Sequence, residues 1–505
     1  MNTRRRVTML YNLLWMLPLV GAYAADGGAA AGSGSQTRVF TGATIIDGNG
    51  GKPISNGVLV VEAGKIKAVG AAGHVSIPAG AERVDVSGKY IVPGLMDANV
   101  HLVPWPSWTY IEFLARYENN FEGIAEEAAQ IALKHGFTTV FDSMGPARPE
   151  MRVRDRINRG EAEGARIFVA GDIVGFRAVF TTPQSIASAS KAFQARINAQ
   201  FEMNGGPDLA WMTPQQVKAE MTRYVAEGVD FVKYGATGDG PPVNSEVGQE
   251  AVLRFTPEQQ RAMVEAVHAA GKIIQTHQTS AESLRIVVES GVDMAQHCAL
   301  TGPSRIAEET IRLMVQRKFY CGTQWGLLTD EQQKQVREGR FPYTEADNGK
   351  PGVDFSVENA VRLIKAGVPE LISTDAGTID PDVAKDFGPD GGPGGLGGHA
   401  SLIGESEFDD MKAMQQRGMT AMMIIQAATR NIAAAYHKLD AFGTLEPGKL
   451  ADLIVVDADP LADVQNLKKL SMVVKEGRTI DVASLPLHPI LTSEEARNPG
   501  AVRTR

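Results

Sequence analysis

The sequence predicts an α/β chain: a (β/α)8 TIM barrel with a small composite β-sandwich domain built from its N- and C-terminal segments. Three observations predict it. Apolar strand patterns alternate with amphipathic helical patterns through the middle of the chain. Short β-rich runs flank that region on both sides, and neither has enough strands to hold a core alone. Polar side chains recur at the C-terminal ends of the apolar strands, where barrels of this kind place their chemistry.

Residues 1–24 read as a leader. Arg4-Arg5-Arg6 is followed by an apolar run from Met9 to Leu19 and by Ala22-Tyr23-Ala24, a small-residue pattern that predicts cleavage after Ala24 and a secreted or periplasmic location. Thr3-Arg4-Arg5-Arg6 leaves twin-arginine export as the alternative to the general route. Asn12 and Pro18 interrupt the run, so no stable membrane span is expected after processing. A Gly/Ala/Ser-rich linker covers residues 25–36. The first part of the β-domain follows at 37–92, with strands at Val39-Phe40, Ala43 to Ile46, Gly57 to Glu62, Lys65 to Gly70 and Arg83 to Asp85. Its second part spans 439–485, with strands at Ala451 to Val456 and Met472 to Lys475, and residues 486–505 form a tail.

Between them, at 93–438, lies the barrel. Its expected strands are Met96 to Leu102, Thr138 to Ser143, Ile167 to Gly171, Phe231 to Gly235, Ile273 to His277, Asp293 to Cys298, Phe319 to Thr323 and Leu371 to Asp375. Helical periodicity fills the gaps, as at 213–228, 256–271, 281–291 and 353–367, each ending at a glycine as helix C-termini often do. The chain has 505 residues, 43% of them hydrophobic and 22% charged, enough to bury a large core. A net charge of -9 argues against a nucleic-acid partner. Two cysteines, Cys298 and Cys321, exclude a disulfide framework and read as unpaired, inert core thiols.

Strand one ends in Asn99 and His101, which alternation sends to the same side. Strand four carries Lys233, strands five and six end at His277 and His297, and strand eight at Asp375. Nitrogen and oxygen ligands converging from five strands point to a metal centre. Lys233 is the odd member, because an ammonium repels a metal ion. The residues alone leave it as an anion-binding or solvent-facing lysine, or as an oxygen ligand after carbamylation.

Pro93-Gly94-Leu95-Met96-Asp97-Ala98-Asn99-Val100-His101, Asp230-Phe231-Val232-Lys233, Thr276-His277, Gln296-His297, Ser373-Thr374-Asp375-Ala376-Gly377 and the tail motif from Gly443 to Val455 resemble the motif set of the amidohydrolase superfamily. The nearest flavour is similar to its imidazolonepropionase-like and Xaa-Pro-dipeptidase-like members. Asn99 stands where the family has a histidine, and this Asn-x-His variant resembles a group that includes phenylurea hydrolases and molinate hydrolase. The resemblance implies a divalent metal cofactor, foremost Zn2+ with Mn2+ or Co2+ as alternatives. It implies N6-carboxylysine at Lys233 as a bridge, His277 and His297 on one ion, and His101 with Asp375 on the other. A carboxamide is a poorer ligand than imidazole, so Asn99 is expected as a weak or absent ligand. One ion would be tight and a second weak or missing; a single ion held by His101, His277, His297 and Asp375 is the alternative.

The resemblance further implies hydrolysis by metal-hydroxide attack, with Asp375 as the catalytic proton carrier. The expected substrate is a small molecule with an amide, urea or carbamate C–N bond. A Xaa-Pro-type dipeptidase or N-acyl-amino-acid hydrolase is one alternative, and a metal-poor binding protein on the same barrel another. Long segments after strands three, seven and eight read as lids. Trp105, Trp108 and Trp325 lie on these or directly after strand one, and with His399 and Tyr234 they are the expected substrate contacts; Trp211 sits in the loop after strand three, and Phe176, Arg177, Phe180 and Tyr343 stand on the same loops. The large aromatics favour an apolar or aromatic substituent on the substrate. The resemblance also implies a homo-oligomer.

Overall fold

The computed structural model describes residues 37–103, 111–175, 189–201, 206–237, 253–302, 304–322, 326–341, 355–378, 380 and 402–493. The N-terminal strands are β1 (Arg38–Ile45), β2 (Ile54–Glu62), β3 (Lys65–Ala71), β4 (Glu82–Asp85) and β5 (Tyr90–Pro93). The two pieces expected at 39–40 and 43–46 are one strand, β1, with a register irregularity between Thr41 and Ala43. Gly42 at that point has φ +89°, and a side chain there would collide with Ser87.

The parallel strands come next: β6 (Leu95–His101), β7 (Phe137–Asp142), β8 (Arg166–Val169), β9 (Ile173–Val174), β10 (Val232–Gly235), β11 (Ile274–His277), β12 (Met294–Gln296), β13 (Tyr320–Gly322), β14 (Glu370–Leu371) and β15 (Ala376–Gly377). The C-terminal strands are β16 (Leu453–Val456), β17 (Leu470–Lys475) and β18 (Arg478–Thr479). The two ends of the chain build one eight-stranded sheet in the order β18-β17-β16-β5-β1-β2-β3, with β4 beside β1. Antiparallel pairing of β5 with β16, Pro93 opposite Leu453, joins them. Phe40, Ile45, Leu59, Val61, Ile91, Leu453 and Val455 form its own core.

The parallel strands pair as a four-stranded sheet, β15-β6-β7-β8, and a six-stranded sheet, β14-β13-β12-β11-β10-β9. The third and eighth expected strands are each divided between the two sheets, as β8 and β9 and as β14 and β15. Backbone bonds cross both joins: Ala98 N–H to Ile372 O at 2.9 Å, Asp375 N–H to Asn99 O at 2.8 Å, and Asp230 N–H to Val169 O at 2.8 Å.

The helices sit where the sequence expects them, for local reasons. Thr213 and Thr256 cap Pro214–Ala226 and Pro257–Ala269, each in a reciprocal capping box with the glutamine three residues on. Gly291 and Gly367 cap Ala281–Ser290 and Ser356–Ala366 with left-handed φ of 86° and 81°. The expected start of the last of these, Val353, lies outside the described residues. Among the described residues no helix is long and apolar enough to cross a membrane.

The inner faces of the two sheets hold their side chains in levels. Lowest, Arg166 on β8 binds Thr139 on β7, and Asp452 and Glu476 of the terminal sheet, at 2.9, 2.8 and 2.5 Å. Above it Phe141, Phe168, Phe231 and Tyr436 stack, with Phe141 and Phe168 centroids 4.8 Å apart and those of Phe231 and Tyr436 5.1 Å apart. The next level is polar, and the last carries the candidate site.

Two findings depart from expectation. Cys298 and Cys321 are not free thiols; they are bonded to each other, with Cα atoms 5.8 Å apart and both side chains fully buried. They lie on neighbouring strands, and Cys298 N–H binds Gly322 O, so strand adjacency brings together residues 23 apart in sequence. The C-terminal segment is also packed: Leu491 and Thr492 N–H groups donate to Glu127 at 2.8 and 3.0 Å.

Arg166 is buried, and its removal would leave the buried Asp452 carboxylate uncompensated. Arg166→Ala is therefore expected to cost about 3 kcal/mol or more in denaturant unfolding. Glu370 is buried with both carboxyl oxygens unpartnered, and burial raises its pKa well above the usual carboxylate value. The folded state therefore holds this proton more tightly than the unfolded chain. Stability is fullest below the unfolded pKa of about 4.3 and falls as pH rises from there through the folded pKa. The thermal midpoint of Glu370→Met should gain on the parent steadily from pH 5 to pH 8.

Candidate active site

The C-terminal ends of the parallel strands bring six polar side chains together. Asn99 and His101 come from β6, Lys233 from β10, His277 from the end of β11, His297 from just past β12, and Asp375 from the break between β14 and β15. Asp375 is the meeting point. His101 Nε2 stands 3.4 Å from its Oδ1, and His297 Nε2 3.5 Å from its Oδ2. The Asn99 side-chain amide donates to Oδ1. The His277 and His297 ring centroids are 4.8 Å apart.

Two of these residues occupy left-handed backbone conformations that are uncommon for side chains other than glycine and asparagine: His297 at φ +61° and Asp375 at φ +54°. At His297 this breaks the strand alternation, so that Gln296 and His297 both face inward. Such backbone strain persists only where the surroundings enforce it, and it clusters at functional sites.

Asn99 has a defined orientation because its neighbours differ in kind. The Lys233 ammonium only donates, and it stands 3.0 Å from Asn99 Oδ1. The Asp375 carboxylate only accepts, so the amide NH2 must face it. Asn99 thus links lysine to aspartate. Its side-chain oxygen is engaged by the lysine.

Burial opposes ionisation of Asp375, but His297, the His101 hydrogen bond and Lys233 outweigh it and hold the carboxyl well below the usual range. Burial also lowers the pKa of His297, against the pull of Asp375. An ionised carboxylate and a neutral imidazole are the forms a cation requires.

His101 Nδ1 lies 3.1 Å from Met144 O, and a carbonyl only accepts, so Nδ1 carries the proton in the neutral ring. Its Nε2 faces the Asp375 carboxylate, 3.4 Å from Oδ1. Ligands at about 2.0–2.1 Å around one tetrahedral ion stand about 3.3 Å apart, close to the spacings seen here. His297 Nδ1 is buried without a hydrogen-bond partner. Among the described residues the donors do not close into a group of three around one point. In donor chemistry, imidazole nitrogen and carboxylate oxygen, the set is of the kind a divalent cation takes.

Residues 90–480 match the amidohydrolase family. The chain belongs to that family. It is therefore a hydrolase on an α/β fold of the TIM-barrel superfamily. Its structure is similar to that of molinate hydrolase, with TM-score 0.79 and 37% identity over 91% of this chain and 97% of that one. It is equally similar to phenylurea hydrolase B, with TM-score 0.79 and 32% identity over 91% and 100%. Among curated relatives, imidazolonepropionase of Geobacillus kaustophilus is 25% identical over 85% of this chain and 90% of the relative. These are the branches that the motif set, and Asn99 in particular, resembles.

The expected substrate contacts fare differently. Tyr234 does not face the ligand group. It alternates with Lys233 on β10, is fully buried, and donates to Gln260 Oε1 at 2.7 Å, so it is a core residue beneath the helix Pro257–Ala269. Trp105, Trp108, Trp325 and His399 lie outside the described residues, as do Phe176, Arg177, Phe180 and Tyr343. Trp211 is 91% exposed.

Sequence reasoning missed the groups that support the site. Asp97, turned away by the local bend in β6, accepts from Asn99 N–H at 2.9 Å and from the Thr374 hydroxyl at 2.5 Å, binding the two ligand-bearing segments to each other. Burial raises its pKa to about 7. Asp142 accepts from Leu102 and Met144 N–H groups at 2.7 and 3.1 Å and so sets the carbonyl that orients His101. The period-two positions before each ligand were the available signal.

Replacing Asn99 by histidine would remove the link to Lys233 and add an imidazole donor beside Asp375. Titration calorimetry on Asn99→His with Zn2+ should show a second ion bound more tightly than in the parent.

Proposed function

We propose that this protein is a metal-dependent amidohydrolase that cleaves the C–N bond of an amide, urea or carbamate carrying an apolar or aromatic substituent. One observation carries the reading: Asn99, His101, Lys233 and His297, with His277 beside His297, gather from four other strand ends around the ionised Asp375 carboxylate. The likeness to molinate hydrolase and phenylurea hydrolase B over nearly the whole chain supports the substrate class. The two parallel sheets are read as one closed (β/α)8 barrel, because backbone bonds cross both joins, and the terminal sheet as its β-sandwich companion. The leader pattern supports export with cleavage after Ala24.

The residues that would hold the ion are His101, His297 and Asp375 with His277, and a divalent ion, foremost Zn2+, would supply an activated water and polarise the scissile carbonyl. The chain's own residues do the rest. Asp375, held ionised by its histidine and lysine neighbours, is placed to take a proton at one carboxylate oxygen and return it to the leaving nitrogen. His101 is kept in one tautomer by Met144 O. Asn99 steadies Asp375 through Oδ1 and leaves Oδ2 toward His297. Carboxylation of Lys233 would convert its donor into an acceptor and turn the Asn99 amide over.

A panel of anilides, aryl ureas, carbamates and dipeptides tests the reading, using protein stripped of metal and then reconstituted with Zn2+, Mn2+ or Co2+. Turnover of ureas, anilides or carbamates that depends on added ion is expected. Turnover of dipeptides alone would favour the Xaa-Pro-type alternative. Asp375→Asn keeps the shape and removes the proton carrier, so kcat should fall by about 10²–10⁴-fold.

A further inference from the structure

Barrel interiors in α/β enzymes are usually filled with branched apolar side chains. Here the level directly beneath the ligand group is polar. Ser143, Gln275, Gln296 and Ser373 come from β7's end, β11, β12 and the β14–β15 break, and all four are buried. They form one chain of hydrogen bonds across the interior. Gln275 Nε2 donates to Ser143 Oγ at 2.7 Å. Gln296 Nε2 donates to Gln275 Oε1 at 2.6 Å, and Ser373 Oγ donates to Gln296 Oε1. Tyr436, from below, donates to Ala98 O at 2.8 Å and lies 3.2 Å from Gln275 Oε1. A side chain at Gly322 would strike both Gln296 Oε1 and Ser373 Oγ, so the bare backbone there is the room the chain needs.

Every member adjoins a candidate ligand or its support. Gln275 precedes His277 by two residues, Gln296 precedes His297 by one, and Ser373 precedes Asp375 by two. Ser143 precedes Met144, whose carbonyl orients His101, and Ala98 precedes Asn99. A glutamine can donate and accept at once, so Gln275 ties the β7 side to the β12 side in a way no apolar residue can.

We infer that Gln275 is a positioning residue: through Gln296, Ser373 and Ser143 it sets the spacing of His277, His297, Asp375 and His101, and so the affinity of the site for a divalent cation. This rests on the metal-dependent reading above. All three side-chain bonds, with Ser143, Gln296 and Tyr436, are lost in Gln275→Met, which keeps the volume and leaves Ser143 Oγ and Gln296 Nε2 short of partners. Groups that orient metal ligands typically account for 10–100-fold in affinity.

The test measures Zn2+ affinity by competition with a chromophoric chelator, alongside the thermal midpoint of the metal-free protein. The variants are Gln275→Met, Gln296→Met, their double, and Ser373→Ala as a milder cut that deletes one hydroxyl should the others fail to fold. Phe40→Leu, in the separate core of the terminal sheet, serves as a packing control. Each polar variant should weaken Zn2+ binding by about 10–100-fold. The double should be no weaker than the worse single, because the two act in series. Phe40→Leu should lower the midpoint while leaving affinity within about twofold, within the scatter expected of distant, uncoupled sites. If the parent binds Zn2+ and the polar variants match it, or lose affinity only in proportion to stability as the control does, the positioning role is overturned and the functional reading stands. If the parent binds none of Zn2+, Mn2+ or Co2+, the functional reading falls and takes the inference with it.

Discussion

The structure of the site depends on one carboxylate. Asp375 stands at a break in strand eight, largely shielded and in a left-handed backbone conformation, and it meets groups from β6 and from beyond β12 at once. Burial alone would keep such a carboxyl protonated. His297, His101 and Lys233 reverse that preference. Each of these groups in turn has its place only because the others are there, which is why the break in the strand is tolerated.

The same logic explains the asparagine. A histidine at residue 99 would offer one more lone pair to a cation. The asparagine instead offers a donor to aspartate and an acceptor to lysine, and so couples β6 to β10 directly. Lys233 is thereby held by a hydrogen bond inside the site, 3.0 Å from Asn99 Oδ1.

Much of this was readable in the sequence, for identifiable reasons. Eight strand patterns and the glycines after the helices are local signals, and they placed the elements to within a few residues. The ligand candidates were readable because barrel chemistry sits at strand ends, and period two put Asn99 with His101. What was not readable depends on contacts between strands. Tyr234 follows Lys233 directly, and only its partner Gln260 shows that it faces the helices. The pairing of Cys298 with Cys321 needed the knowledge that strands six and seven are neighbours and that His297 bends the chain before Cys298. The polar level was missed because single glutamines and serines in apolar strands carry no pattern; only their mutual hydrogen bonds reveal them.

The central claim is that a divalent ion sits where Asp375 meets the histidines. Anomalous X-ray diffraction at the zinc edge, on crystals grown from protein reconstituted with Zn2+, tests it most directly. The account predicts a peak within bonding distance of Asp375, His101 and His297, with His277 in the same shell. A peak only at surface histidines such as His268, or an empty site in crystals that hold zinc elsewhere, would contradict it.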